Sequence, residues 1–320
     1  MGLSKNLMIP GKIKSVFLLL RVRQYYKNMM IFVGIFFSKN LFETTYYFNI
    51  VLGFILLCCA SSFNYIINDI KDIENDKKHP EKLRKKPLAS GEIPIYFAII
   101  VLIILVCLMI TFPFFIINFD ARINFVFTMI LMIITGQLYN FFFKNIAFID
   151  IIILSLGYLW RALAGCFVIN KFVSPWLFLA IFEVAMFLSI AKRKGDLELL
   201  GKEKAIEHKK IYDQYSGNLL DQFHIIIAGS LFMTYSLYLI LIFNLFGFEP
   251  ENIAFYEYSS IFTIPIALYI IMRYMYLTSA KPKMVRNPEK AFIDKGIMIA
   301  GFFIFIMLFF SFYFNIFFNN

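Results

Sequence analysis

A charged stretch between positions 68 and 91, NDIKDIENDKKHPEKLRKKPLASG, interrupts a chain that is otherwise 60% hydrophobic. Its aspartates Asp69, Asp72 and Asp76 share one face of a helix, because 100° per residue brings Asp76 to within about 20° of Asp69. Clustered carboxylates repel one another, and a hard cation such as Mg²⁺ removes that repulsion. The spacing therefore predicts a catalytic magnesium site made of these three aspartates, with Asn68 beside them.

Cations follow the aspartates directly and suit phosphate oxygens. An acidic cluster followed by a basic one, at a membrane face, is typical of a metal–diphosphate site. The alternative is a solvated loop whose charges only fix topology, but such a loop needs lysines and not three aspartates in register. The cations predicted to bind substrate here are Lys82, Arg84 and Lys86.

The composition is that of a polytopic membrane protein. The mean hydropathy is +0.73, 41 residues are phenylalanine, and only 16% are charged. Nine apolar stretches are each about the ~20 residues that a spanning helix needs. The prediction is an all-α membrane protein, a bundle of about nine transmembrane helices forming a single domain over residues 1–320. The stretches are 29–47, 48–67, 93–117, 122–138, 146–168, 174–191, 221–247, 258–279 and 293–315.

The distribution of Lys and Arg predicts the orientation. They concentrate in a basic lead-in over residues 1–27, which shows no cleavable signal peptide, and in alternate loops, of which 68–92 and 192–220 are the longest. The positive-inside rule then places the N-terminus in the cytoplasm and the C-terminus outside, in the inner (plasma) membrane of the cell. This pattern explains the net charge of +10 better than nucleic-acid binding does. The two long loops are expected to share one cytoplasmic site.

A second charged group, Lys192 to Glu198, reads KRKGDLE at the end of the sixth predicted span. Lys192, Arg193 and Asp196 could form a phosphate clamp with an additional carboxylate. The alternative is an ordinary helix end that carries positive-inside charge.

A third group combines Tyr139, Lys144, Asp150 and Arg161, of which the last two share a helix face. Arg161 lies ~15 Å into its span, where a charge costs at least ~2.5 kcal/mol. It is therefore expected to bind an anionic headgroup or to pair with Glu183, and the sequence leaves both open.

Lys27 and Asn28, at the end of the lead-in, form a fourth group. They could reach the same cytoplasmic site, or they could anchor the chain at the interface.

Several motifs, in order, resemble the UbiA superfamily of intramembrane prenyltransferases and, within it, the decaprenyl-phosphate phosphoribosyltransferase branch. The aspartate motif at 68–76 resembles the first aspartate motif of the superfamily. Others are RxRQxxKN at 21–28, HPxK and PLASG within 79–91, LYNFFFKNIAFID at 138–150, LGYLWRALAG at 156–165, SPW at 174–176 and AKRKGDLELL at 191–200. The branch usually has Pro and Trp where this chain has Val22 and Tyr25.

The resemblance implies a reaction and its partners. A membrane polyprenyl phosphate would attack C1 of phosphoribosyl diphosphate and release diphosphate, with Mg²⁺ held by the three aspartates. The resemblance further implies which cations contact the diphosphate and the 5-phosphate: Lys82, Arg84, Lys86, Lys192 and Arg193. Lys27, Lys144 and Arg161 would contact the lipid phosphate or the ribose phosphate. A homo-oligomer is possible.

Two alternatives have other chemistry. An aromatic prenyltransferase of the same superfamily would use a polyprenyl diphosphate, but such enzymes carry a second DxxxD motif where this chain reads KRKGDLELL. A transporter of phosphorylated solutes would be expected to show paired Gly or Pro interruptions in its spans, and these are not evident.

Overall fold

The computed structural model describes residues 9–77, 83, 85–245, 258–285 and 291–318, and all regular secondary structure in these ranges is helical. Eight long helices dominate, and we number them in chain order. They are α1 (Tyr47–Lys71), α2 (Ile95–Thr111), α3 (Phe119–Phe141), α4 (Ile149–Val168), α5 (Pro175–Leu200), α6 (Gly217–Ile242), α7 (Thr263–Ala280) and α8 (Lys295–Phe318).

All eight are long and apolar enough to cross a membrane, three of them together with an adjoining 3₁₀ turn. Large apolar side chains point outward along them; on α2, Ile99, Ile100, Ile103 and Ile104 are all about half exposed. A chain in water would bury such a surface, whereas lipid covers it without cost. The predicted all-α multi-pass membrane fold is confirmed.

The first predicted span, 29–47, is not one long helix. A 3₁₀ helix over Val22–Ile31 runs directly into a short α-helix over Phe32–Phe37. At 2.0 and 1.5 Å per residue this composite segment is about 29 Å long, close to the ~30 Å of hydrocarbon. A local turn ends this segment: Lys39 has a φ of 60°, and the Asn40 amide donates to the Ser38 carbonyl at 2.6 Å. The eight long helices of the described residues match the predicted bundle of about nine approximately, and the first span accounts for the difference.

Internal contacts divide the chain into two compact units. The first comprises Met1–Phe141 and Trp160–Phe172, and the second comprises Phe142–Leu159 and Val173–Asn320. The single domain expected from the sequence stays a prediction, and the two units are described separately below.

In the first unit, α1 packs against α2, α3 and the composite segment, and Leu56, Leu57 and Phe125 are fully buried in its core. The backbones of α4 and the composite segment approach each other closely at Gly165. A Cβ at this position would lie 1.9 Å from the carbonyl oxygen of Ile31. Only glycine allows the two helices to meet at this distance.

In the second unit, α5 packs along α6, and α7 packs along α8. Phe187 of α5 packs against the His224 ring of α6, with ring centroids 4.2 Å apart and the ring planes tilted by 33°. Arg273 of α7 forms two hydrogen bonds of 3.0 Å with Asp294, and an Asp294 oxygen accepts from the backbone N–H of Gly296 at 3.1 Å. Asp294 thus caps the start of α8 while it ties that helix to α7.

Candidate active site: an aspartate cluster and an arginine cluster

The predicted metal-binding aspartates lie at a break in the helix that carries them. Helix α1 ends at Lys71, and Asp72 has non-helical angles of φ −94° and ψ 8° before a short helix over Ile73–Lys77. Asp69 and Asp76, on either side of the break, are 2% and 1% exposed, whereas Asp72 is half-buried. The three aspartates therefore do not share one straight helix.

Two cations hold the buried carboxylates. The Lys86 ammonium contacts an Asp69 oxygen at 3.0 Å and also bonds Asp76, so it bridges the two side chains. The Arg21 guanidinium contacts the same Asp69 oxygen at 2.6 Å and lies 4.7 Å from the centre of the Tyr65 ring. We call these residues (Arg21, Asp69, Asp72, Asp76 and Lys86) the aspartate cluster.

Arg21 was not among the site residues selected from the sequence. It separates the helix over Ile9–Leu19 from the 3₁₀ helix that follows, and its left-handed backbone (φ 52°, ψ 44°) is uncommon for a residue other than glycine. Strain of this kind costs about 1–3 kcal/mol and persists where the surroundings hold it, as at functional sites. Here the contact with buried Asp69 holds it. The sequence showed an arginine near the membrane but not its distant partner.

Magnesium fits part of this donor set. The Lys86 ammonium shows that Asp69 and Asp76 converge on one cation position, and both offer only oxygen ligands. Within the described ranges, however, no three His, Cys, Asp or Glu side chains converge closely enough to hold a metal. Mg²⁺ commonly takes one or two protein carboxylates and completes its shell with water and substrate phosphate. Two aspartates meet that need, and direct ligation by Asp72 stays a prediction.

Two other residues selected from the sequence, Asn28 and Arg161, contact each other in the first unit. Arg161 Nε donates to Asn28 Oδ1 at 2.7 Å, and Ser61 Oγ donates to the same oxygen at 3.2 Å. Asn28 is fully buried and its amide donates to Cys58 Sγ at 3.2 Å. The charge of Arg161 is thus placed among polar groups of the composite segment and α1. For Glu183, the partner found is Ser230 of α6.

The remaining substrate-binding residues selected in this unit are less constrained. Asn68 lies in the last turn of α1, where its carbonyl accepts from the Asp72 N–H at 3.0 Å. Lys27 is half-buried, with its ammonium 6.0 Å from the Tyr26 ring centre, and Tyr139 is half-buried near the end of α3. Lys82 and Arg84 lie outside the described residues. The predicted roles of all five stay predictions.

The second unit contains a buried network that we call the arginine cluster: Asp150, Arg193, Asp196, Tyr212 and Tyr215. Arg193 donates from Nε at 3.0 Å and from its terminal nitrogen at 2.8 Å to one oxygen of Asp150. Tyr215 donates to the other Asp150 oxygen at 2.7 Å. The side chains of Arg193 and Asp150 are 4% and 0% exposed.

Asp196 belongs to the same network. It accepts a 2.6 Å hydrogen bond from Tyr212, whose oxygen lies 3.4 Å from a terminal nitrogen of Arg193. Burial raises the pKa of Tyr212 and of Tyr215 well above the ordinary value, so both remain neutral donors. The Arg193 guanidinium already bonds Asp150 and lies against the Tyr212 hydroxyl. These contacts favour a positioning role for Arg193 over the predicted phosphate clamp. Lys192, its neighbour, is exposed.

The tyrosines of this cluster were not found from the sequence. They lie in a polar loop without helical periodicity, 16 to 65 residues away from the carboxylates that they bond. The two clusters lie in different compact units, and the shared cytoplasmic site expected from the sequence stays a prediction.

Known proteins resemble this chain over most of its length. Residues 28–293 match the model of the UbiA prenyltransferase family. Decaprenyl-phosphate phosphoribosyltransferase of Mycolicibacterium smegmatis is 28% identical over 241 residues, which cover 74% of this chain and 72% of that protein. The protein of the same name from Corynebacterium glutamicum is 28% identical over 269 residues, which cover 83% and 77%.

The fold is also that of a solved structure, a UbiA homolog from Archaeoglobus fulgidus bound to GPP and Mg²⁺. The TM-score is 0.62 at 17% sequence identity, with 92% of this chain and 99% of that one covered. The match of fold, together with the family match over residues 28–293, identifies the chain as a transferase that belongs to the UbiA prenyltransferase family.

Proposed function

We propose that this protein transfers a 5-phosphoribosyl group from phosphoribosyl diphosphate to a membrane polyprenyl phosphate, with Mg²⁺, and releases diphosphate. Two relatives at 28% identity carry the name of such an enzyme. The observation in this chain that carries the proposal is the convergence of Asp69 and Asp76 on the Lys86 ammonium. Two buried carboxylates around one cation position, with further cations beside them, suit a metal-bound diphosphate.

The chemistry requires a nucleophile, an electrophile and a stabilised leaving group. A phosphate oxygen of the lipid forms a bond to C1 of the ribose, and the bond from C1 to the diphosphate oxygen breaks with its electron pair on the diphosphate. Bound Mg²⁺ would neutralise the charge that develops there. Asp69 and Asp76 would hold the metal, and Lys86 and Arg21 would add positive charge near the leaving group. The nucleophile is already an anion, so no strong general base is needed.

The lipid phosphate needs a cation near the membrane. Arg161 is the candidate in the first unit, because its guanidinium lies in a span and is oriented by Asn28 and Ser61. A guanidinium held at this depth suits a phosphate headgroup, because arginine forms strong charge-assisted hydrogen bonds with phosphate oxygens. We infer from the charge distribution that the aspartate cluster faces the cytoplasm of a plasma-membrane protein whose N-terminus is cytoplasmic and whose C-terminus is outside.

The test is transfer of label from phosphoribosyl diphosphate to a polyprenyl phosphate by the purified protein with Mg²⁺. Asp76→Asn should lower the rate roughly 100-fold or more, the scale on which one stabilising group for developing charge counts. Glu74→Gln is the matched control, because this carboxylate is two residues away and its side chain is 82% exposed. Equal rates for wild type, Asp76→Asn and Glu74→Gln would contradict the proposal.

A second candidate follows from the family itself, whose members include prenyltransferases. The same fold could transfer a prenyl group from a polyprenyl diphosphate to an aromatic acceptor such as 4-hydroxybenzoate. Prenylation of that acid, with phosphoribosyl diphosphate left unused, would favour this candidate.

A further inference from the structure

The loop over residues 209–216 in the second unit is held firmly without being a long helix. The Gln214 side chain bridges it to a neighbouring loop, accepting from the Ala147 N–H and donating to the Asn145 carbonyl, both at 3.1 Å. Tyr215 accepts from the Phe148 N–H at 2.8 Å. These hydrogen bonds and the arginine cluster fix residues 209–216 against residues 145–150.

Lys209 begins this loop. Its backbone is extended (φ −152°, ψ 124°), and its carbonyl accepts from the Tyr212 N–H at 3.1 Å. Its side chain is exposed, and in the part of the chain that the structure describes its ammonium has no hydrogen bond or ion pair. Lys86 and Lys194, by contrast, each contact a carboxylate. The loop therefore presents a positioned cation without an anion of its own.

The charges around Lys209 do not supply that anion. They are Arg193, Lys144, Asp150 and Asp196. Both carboxylates already accept hydrogen bonds from other side chains, as described above. The pKa of Lys209 is lowered to about 8, first because the ammonium is desolvated although the side chain is accessible, and then by the charge of Arg193. The negative charge of an approaching phosphate would favour the charged ammonium and offset the repulsion from Arg193.

We propose that Lys209, assisted by Lys144 on the bridged loop, binds phosphoryl oxygens of a phosphorylated substrate. The identity of that substrate rests on the proposed function: it is the soluble phosphoribosyl diphosphate or the lipid phosphate. Arg193 then holds the loop that carries Lys209, and it does not itself bind phosphate. Lysine suits this role as a compact, strongly hydrated cation with three donors.

Kinetics separate the two substrates and exclude a merely structural role. Lys209→Gln should raise the KM for one of the two substrates roughly 10- to 100-fold with little change in kcat, since a hydrogen bond to a charged group contributes about 1.5–3 kcal/mol. A rise for the soluble donor or for the lipid identifies which one binds. Lys209→Arg should restore most of the affinity. Lys202→Gln, which removes an exposed lysine from the short helix before the loop, should have no effect.

The pH dependence gives a second readout. Lys209 is charged below a pKa of about 8, so wild-type affinity should fall as pH rises through 8. Arginine stays charged, so Lys209→Arg should lack this alkaline fall. The tyrosines of the arginine cluster have raised pKa values and do not titrate in this range.

Binding of inorganic diphosphate tests the site apart from turnover. Calorimetry at pH 8 in two buffers of different ionisation enthalpy should show more net proton uptake by wild type than by Lys209→Arg, and the difference reports Lys209 because the diphosphate is the same in both. If this holds while no phosphoribosyl transfer is found, the site stands and the proposed function fails. Unchanged KM values in Lys209→Gln, an alkaline fall that persists in Lys209→Arg, or proton uptake that does not depend on Lys209 would each overturn the inference.

Discussion

The buried contact between Arg193 and Asp150 decides between two interpretations of the same arginine. The sequence suggested a phosphate clamp, whereas the structure shows an ion pair whose side chains are 4% and 0% exposed. Removal of one partner of a buried pair costs about 3–5 kcal/mol, because the other charge remains uncompensated. We therefore expect Arg193→Met and Asp150→Leu each to destabilise the protein by that amount. The entropy of unfolding is about 2.1 cal/mol/K per residue, so 1 kcal/mol shifts the melting temperature of a chain of 320 residues by about 1.5 °C, and each change should lower it by roughly 4–7 °C.

The double variant sharpens this prediction. With both charges gone, the Tyr215 hydroxyl loses its Asp150 acceptor, which costs about 1–3 kcal/mol for an unsatisfied group, whereas the Tyr212 hydroxyl keeps Asp196. The double variant should therefore be no less stable than the single ones, which corresponds to a coupling energy of at least about 3 kcal/mol. Thermal melts of the four proteins in detergent give this cycle, with Lys192→Met as a control for loss of an exposed cation.

The refuting result is specific. If Arg193→Met melts within about 2 °C of wild type while the KM for phosphoribosyl diphosphate rises, then Arg193 binds substrate and the positioning role is wrong. Additive effects in the double variant would likewise show that the two residues do not act as a pair.

Two further predictions concern the first unit. Gly165→Ala should destabilise the protein by at least about 1–3 kcal/mol, because a Cβ would meet the Ile31 carbonyl and helices separate only with repacking; Gly229→Ala, with open space around it, should be neutral or stabilising in the same melts. Lys86→Gln should lower the melting temperature in EDTA and tighten Mn²⁺ binding, because an ammonium no longer competes for the two carboxylates; equal Mn²⁺ affinity in wild type, Lys86→Gln and the exposed control Lys85→Gln would contradict this.

Apolar length and periodicity were enough to predict the class of fold. The first span could not be placed in the same way, since a local turn at Lys39 and Asn40 ends it and a 3₁₀ helix precedes it. The point where such a helix ends and its type depend on a few hydrogen bonds, which leave no periodic pattern in the sequence.

Residue types and spacing selected many members of the candidate site but not their contacts. Asn28 and Arg161 were both selected, yet 133 positions separate them, and only the fold shows that they bond. Arg193 was selected for its charge, and the burial that changes its role comes from Asp150, 43 positions away. Arg21 acquires its role only through Asp69. Local patterns identify the chemistry that a residue can perform, and long-range packing decides which residues remain available for it.

A competition between donors tests the central claim most directly. The purified protein in vesicles that contain polyprenyl phosphate is given Mg²⁺, phosphoribosyl diphosphate, a polyprenyl diphosphate and 4-hydroxybenzoate together, and the lipid products are identified by mass spectrometry. The account predicts a polyprenyl phosphate enlarged by one phosphoribosyl group, formed by wild type and Glu74→Gln and lost in Asp76→Asn. A prenylated aromatic acid as the product, with the phosphoribosyl diphosphate unconsumed, would contradict it.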